Sequence, residues 1–212
     1  VKYEGDRAAF RNMRRGVSAI YRKHRGVCLG PEPGRSFAEA KFDFPHLRDY
    51  VMDRNIMADV SETATTWTNL LPLYEDSLAD IDRAICNTGV ASWVGCHVSH
   101  SYPTGASLYF TFGCLQRAGR EIDQYLHIKK AAEDAFMKNG GTLSHHHAVG
   151  TEHLPWVEED VSPTGLKAVR AAKEGPDPRG IMNPGKIIPP ADPFKEWGLS
   201  GEALGRFTGS GQ

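Results

Sequence analysis

The stretch from Ala91 to Cys114, ASWVGCHVSHSYPTGASLYFTFGC, decides the fold. Two β-rich segments, Ala91 to Tyr102 and Ala106 to Cys114, flank Pro103-Thr104-Gly105, whose residue types suit a tight reversal. The pattern predicts an antiparallel hairpin. On its C-terminal side, Glu121 to Asn139 places Ile122, Tyr125, Leu126, Ile128, Ala132, Ala135 and Phe136 at helical spacing, and Gly140-Gly141 closes that helix. On its N-terminal side, Asn69 through Cys86 carries Leu70, Leu73, Leu78, Ile81, Ala84 and Ile85 on one stripe, with Pro72 near the start, where it is tolerated.

Further out, Met57 to Thr63 reads as extended, and Pro45 can open a short helix through Met52. Gly30 to Gly34 is turn chemistry. Asp6 can cap a helix with Ala9, Phe10, Met13, Val17 and Ile20 at helical spacing, ending near His24 to Gly26, and Val1 to Gly5 reads as a short strand. A further helix is expected from about Pro163 to Lys173, followed from Asp177 by irregular, Pro-rich chain. Beyond Pro193, Phe194, Trp197, Leu199, Leu204 and Phe207 are candidates to dock on the core, and Gly209 to Gly211 reads as mobile. The order predicts an α+β fold, an antiparallel sheet with helices on one face, over residues 1–190, with a tail at 191–212.

Composition narrows the function. Lys and Arg number 25 against 26 Asp and Glu, so bulk charge gives no reason to expect nucleic acid as a partner. No apolar run reaches the roughly 18 residues of a membrane span. Four scattered cysteines, Cys28, Cys86, Cys96 and Cys114, read as buried free thiols of a reducing cytosol. There is no G-x-G-x-x-G after a strand, no P-loop and no G-x-S-x-G elbow, so no nucleotide cradle is recognisable here. The start at Val1, without Met, leads us to expect a piece of a longer polypeptide.

The most unusual local feature is Gly140 to Gly150, which sets His145, His146 and His147 side by side between glycines just past a helix end. Three readings stand: a metal site, disfavoured because adjacent side chains diverge; proton chemistry with a substrate or a phenol; or a solvated polar loop. Cys96-His97 with His100 resembles half of a zinc site. In an alternating strand, however, His97 and His100 point to opposite faces, and satisfied strand histidines are the better reading. Arg48 can offer a fork to a carboxylate or phosphate, or can simply be an exposed ion-pair residue. Tyr109 can present a phenol to a pocket or pack in the core. Asn183, in the Asp177 to Lys186 run, can aim its amide at a ligand or serve as turn punctuation.

Taken together, Leu47-Arg48-Asp49, Gly105 to Phe112, Gly140 to Gly150 and Asp177 to Lys186 resemble the C-terminal half of alkyldihydroxyacetonephosphate synthases and their bacterial relatives, FAD enzymes of the vanillyl-alcohol-oxidase type. The similarity runs from about Phe42 to Ile188. The Asp-Pro-x-Gly-x-x-Asn-Pro-Gly-Lys run is shared widely among FAD-linked oxidases, whereas the histidine loop is narrower. The resemblance implies a cap domain that covers a flavin held by an N-terminal FAD-binding domain outside this chain. It implies exchange of the acyl group of acyl-dihydroxyacetone phosphate for a fatty alcohol, without net redox, in ether lipid synthesis. Oxidation of a hydroxy acid or alcohol is the alternative, and a non-catalytic module a third reading. By resemblance Arg48 holds the anionic end of the substrate, Tyr109 is a proton partner with His145, His146 and His147, and His146, His147 and Asn183 approach the cofactor. No metal and no nucleic acid is implied; a homodimer and membrane association of the intact, otherwise cytoplasmic enzyme are left open. Ala148 stands where the eukaryotic pattern has glycine and Thr151 where it has lysine, departures that suit a bacterial relative.

Overall fold

A computed structural model describes residues 5–196, with the backbone alone at 44–46 and 195–196. The strand expected at Val1 to Gly5, apart from Gly5, and most of the tail, including Trp197, Leu199, Leu204, Phe207 and Gly209 to Gly211, lie outside the described residues. The chain forms two compact units that divide between Tyr50 and Val51.

The first unit is helical. Helix α1 (Arg7–Lys23) starts where the Asp6 carboxylate accepts the amides of Ala8 and Ala9 at 2.8 and 2.9 Å, and it ends at His24, as its sequence predicts. The segment expected to be a turn is instead helix α2 (Glu32–Ala40), because Pro33 falls in its first turn, where a missing amide costs no intrahelical bond. Helix α3 (Phe44–Met52) carries Arg48, which is exposed.

The second unit is built on three antiparallel strands in the order β1-β3-β2: β1 (Ile56–Thr66), β2 (Ser92–Ser101) and β3 (Gly105–Leu115). The hairpin is β2 and β3. Gly105 is required where it stands, since a Cβ there would lie 2.0 Å from the Thr65 carbonyl oxygen across the ladder. Helices α4 (Leu70–Asn87) and α5 (Glu121–Lys138) cover one face. Leu108, Phe110, Phe112 and Cys114 of β3 point into them and pack with Leu73, Ile81 and Ile85 of α4 and Ile128, Ala132 and Phe136 of α5. The expected class, an antiparallel sheet with helices on one face, is the observed one.

Spacing alone misjudged some positions. Ile122, placed inward by its period, is 69% exposed in the first turn of α5, because a helical stripe does not say where along the helix its cover begins. Conversely Gln124, Lys129 and Glu133 are buried. Lys129 Nζ donates to Val60 O and Ser61 Oγ, both at 2.8 Å, and pairs with Asp59 and Glu152 at 3.3 Å, so a polar layer lies between α5 and the helix-covered face of β1. Cys28 and Cys86 are exposed, which corrects the expectation of buried thiols, while Cys114 is buried, with its thiol pushed up to about 11 by burial.

Past α5 the chain turns at Gly140, whose positive φ of 68° closes the helix, and Gly141 N returns to Phe136 O at 2.8 Å. A 3-10 turn (Thr151–Trp156) then leads into α6 (Val157–Glu174). Its second half begins at Pro163, as predicted, because Ser162 leaves helical geometry and its Oγ accepts the Gly165 amide at 3.2 Å. Asp177 then accepts the amides of Ile181 and Met182, both at 3.0 Å, and Lys173 Nζ at 2.7 Å, which shapes the Pro-rich run. A short helix α7 (Pro193–Glu196) brings Phe194 edge-on to Trp156, so this one docking expectation is met.

Candidate active site

The site forms on the sheet face opposite α4 and α5. Residues opposite one another in an antiparallel pair share a face. His97 pairs with Tyr109 and Tyr109 with Glu62, so all three point away from the core. Tyr109 therefore faces away from the core rather than packing in it.

His100 joins them for a reason the alternating pattern could not show. The register slips between Val98 and His100, with Val98 opposite Leu108 and His100 opposite Ser107, so Ser99 is an extra residue, a β-bulge. The bulge reverses the parity of β2 and puts His97 and His100 on the same face, correcting the expectation that they diverge. His97 lies 5.0 Å from Tyr109, ring to ring.

The histidine loop reaches this face by wrapping the free edge of β1. Thr142 N donates to Ala64 O at 3.0 Å, and its carbonyl accepts Thr63 Oγ1 at 2.6 Å. Asp160 of α6 accepts Thr142 Oγ1 and Leu143 N at 3.0 and 3.1 Å, and Leu143 plugs a small second core with Trp156, Val157 and Leu166. One carboxylate oxygen then gathers the loop. Glu62 Oε1 accepts Ser144 Oγ at 3.1 Å and the amides of His145, His146 and His147 at 2.7, 2.6 and 3.0 Å. Three successive amides closing on one anion form a nest, with the anion supplied from within the chain. Ala148 then adopts φ 67°, a left-handed conformation that explains why a glycine suits this position.

Held this way, the three imidazoles converge despite being adjacent. His147 stands edge-on to Tyr109 at 5.2 Å between ring centroids. His146 lies 4.5 Å from His147 and 4.8 Å from His100. His145 Nε2 meets the Tyr102 hydroxyl at 3.0 Å. The ligand-capable ring nitrogens of His100, His145 and His146 lie within 4.8 Å of one another, so among the described residues this is the set that could share a cation. An open cavity of about 530 Å³ borders the loop, lined by Thr65, Thr66, Tyr102, Thr142, His145 and Asp160 among others.

The electrostatics divide the roles. Burial pushes the Glu62 carboxyl up, but the amides of His146, His147 and His145 outweigh it, and the group is held below the usual carboxylate range as an anion. Desolvation pushes the Tyr109 phenol up, and the negative charges of Asp59 and Glu62 add to this, so it stays protonated at neutral pH. Desolvation lowers the His147 pKa against the opposing pull of Glu62, so its imidazole is neutral. A neutral imidazole beside a neutral phenol can exchange a proton with a substrate.

Of the residues expected from sequence, Tyr109, His145, His146 and His147 come together. Asn183 is exposed and lines a separate groove with Val169, Lys173, Lys186, Ile187 and Ile188. Arg48 belongs to the first unit. Sequence reasoning missed Glu62, His100 and Tyr102. The signal available for Glu62 was a charged residue in a run otherwise fit for a strand; for His100 it was the nearby histidines themselves.

Comparison with known proteins bears on what such a site serves. The family model described as FAD linked oxidases, C-terminal domain, matches residues 3–187. The chain is 36% identical over 189 residues to alkyldihydroxyacetonephosphate synthase of Dictyostelium discoideum, covering 89% of this chain and 31% of that protein. It is 34% identical over 196 residues to the same-named protein of Trypanosoma brucei brucei, covering 92% of this chain and 32% of that one. A solved structure of an alkyldihydroxyacetonephosphate synthase superposes with a TM-score of 0.60 at 30% identity, over 86% of this chain and 30% of its own. The chain thus spans about a third of the length of the curated relatives it matches, and the family's enzymes are FAD-dependent. A sheet backed by helices on one face, its other face set with Tyr109 and three imidazoles, and the match over residues 3–187 together lead to one conclusion: this chain belongs to the FAD-linked oxidases, as their C-terminal domain.

Proposed function

We propose that this chain is the substrate-covering cap, over residues 1–190 with a tail at 191–212, of an enzyme that exchanges the acyl group of acyl-dihydroxyacetone phosphate for a fatty alcohol. The products are alkyl-dihydroxyacetone phosphate and a fatty acid, with no net oxidation. The observation that carries the reading is the pairing of a neutral phenol, Tyr109, with a neutral imidazole, His147, on an open sheet face in a chain more than a third identical to a protein named for this synthesis. Trp93, Gly95 and Thr111 share the parity of His97 and Tyr109, so the same face offers an exposed aromatic and a side-chain-free position. That surface fits a planar aromatic cofactor. FAD, held by an N-terminal domain, supplies when bound an electron-accepting ring beside which the substrate carbon can lose one oxygen substituent and gain another.

The rest falls to this chain's own side chains. His147 accepts the substrate proton, directly or through the Tyr109 hydroxyl, and returns it later. His146, beside His147, shares in the proton exchange, His145 completes the polar wall, and His146, His147 and Asn183 approach the cofactor. Arg48 forks onto the phosphate. The scheme uses no metal ion, so treatment with a chelator leaves turnover unchanged. Homodimer formation and association of the intact enzyme with a membrane surface are compatible with this reading. Among the described residues no helix is long and apolar enough to cross a membrane. The test is to incubate the flavin-loaded full-length protein with acyl-dihydroxyacetone phosphate and a fatty alcohol. Alkyl product without consumption of an electron acceptor is expected; flavin bleaching by a hydroxy acid with no alkyl product assigns the enzyme to the oxidases instead.

A further inference from the structure

We infer that Glu62 is the positioning residue of the histidine loop: one carboxylate oxygen gathers Ser144 to His147, and the other holds His146 as the Nδ1–H tautomer, leaving Nε2 of that ring free to exchange a proton. The first half is visible in the four bonds to Oε1. The second half follows from the other oxygen. Glu62 is only 3% exposed, and Oε2 is shut off from solvent without a well-aligned hydrogen bond. A buried carboxylate oxygen left without a donor is costly, and more so for a charged group than a neutral one. Two ring nitrogens face it, His146 Nδ1 at 3.1 Å and His145 Nδ1 at 3.8 Å.

These two nitrogens also lie 3.1 Å from each other, so one must carry a hydrogen and the other must not. With the hydrogen on His146 Nδ1, a single N–H serves both Glu62 Oε2 and His145 Nδ1. His145 then carries its hydrogen on Nε2 and donates it to the Tyr102 hydroxyl, 3.0 Å away. Glu62 Oε2, His145 Nδ1 and the Tyr102 hydroxyl then each face a donor. In the opposite arrangement His145 Nδ1–H points to His146, and Oε2 keeps no donor closer than 3.8 Å. The first arrangement wins because it brings an N–H to within 3.1 Å of the buried anion rather than 3.8 Å.

A carboxylate on one nitrogen of an imidazole fixes the tautomer, orients the ring and stabilises the cation formed when the other nitrogen takes a proton. Glu62 thereby acts through His146 without touching substrate. This catalytic consequence rests on the proton-exchange reading above, whereas the tautomer itself does not.

The test uses full-length, flavin-loaded protein labelled with ¹⁵N-histidine, with the His146 ring signals assigned by their loss in His146→Gln. The wild type should show a protonated Nδ1 and an unprotonated Nε2 at His146. In Glu62→Gln the amide oxygen can still accept the three backbone amides, while its NH₂ faces the ring. The tautomer should flip, and kcat should fall by up to about 10⁴-fold, the loss found when the orienting carboxylate of a catalytic triad becomes an amide. Glu62→Asp keeps the charge and should keep the Nδ1–H tautomer with a smaller loss. An Nε2–H tautomer in the wild type, or an unchanged tautomer in Glu62→Gln, overturns the inference. The wild-type spectrum decides even if the variant does not fold. Correct tautomers in a protein that makes no alkyl product leave the positioning role intact and remove only the proposed reaction.

Discussion

Replacing Gly141 with alanine should unseat the histidine loop. A Cβ at this position would lie 2.4 Å from Thr63 Oγ1, 2.6 Å from Leu73 Cδ1 and 3.1 Å from Phe136 O. The first two approaches are far inside van der Waals contact, and Thr63 and Leu73 are both fully buried. Relief by moving Thr63 breaks its 2.6 Å bond to Thr142 O, the first anchor of the loop on β1. Overpacking a core costs typically ~1 to 3 kcal/mol, and a lost hydrogen bond about 1 kcal/mol more. The sum, ~2 to 4 kcal/mol, corresponds to a roughly 30- to 1000-fold rise in the opening equilibrium. Hydrogen exchange reads this directly, because Thr142 N and the amides of His145, His146 and His147 all have partners. Thr63→Ala gives a further check, since removing Oγ1 makes room, so the two substitutions together should cost less than the sum of each alone. Exchange in Gly141→Ala within threefold of wild type, or strict additivity with Thr63→Ala, would refute the reasoning.

Arg48→Ala should weaken binding of the phosphate-bearing substrate by about 10- to 150-fold, the value of a charge-assisted contact, and isothermal titration with unchanged affinity would remove its role. Tyr109→Phe should lower kcat while flavin absorbance stays, since only the hydroxyl is lost. Because desolvation lowers the His147 pKa, its base form persists below the ordinary histidine value of about 6.5. The acid limb of kcat/KM should therefore fall below that pH and vanish in His147→Asn; a limb above pH 7 would contradict the assignment. Burial pushes the Glu133 carboxyl up to about 8, against an opposing pull from Lys129. The folded state then binds a proton that the unfolded state has released, so stability is greatest below the unfolded value of about 4.5 and is lost as pH rises toward 8. Thermal unfolding of Glu133→Gln should show a flatter dependence over that window, and parallel curves for the two proteins would count against a raised Glu133.

The hairpin, α4 and α5 were legible because their apolar residues follow period 2 or 3.6 and their ends carry proline or glycine at the appropriate places. The histidine loop was legible as an anomaly of composition, and Tyr109 through the resemblance of its strand. What gathers the loop was not legible. Glu62 precedes the amides it binds by 83 to 85 residues, and nothing local to either segment announces the other. The polar layer of Lys129, Glu133 and Gln124 was hidden for the same reason: each breaks an apolar stripe and is buried only because its partners arrive from other elements. Helix α2 was masked by its prolines, which signal a turn until the turn proves to be the first of a helix.

The supernumerary Ser99 on β2 makes this constellation vulnerable to pairing register rather than to chemistry. Ironing out the kink with the serine retained would preserve every imidazole, phenol and carboxylate in the molecule, yet would set Ser99 opposite Ser107 and His100 opposite Ala106, turning that ring into the hydrophobic interior, whereas removing the serine would leave His100 facing its companions. A homologue lacking one residue between Val98 and His100 should thus keep this ring in the chamber, while one of equal length with a regular strand should have a differently furnished one, however well its side chains align by type.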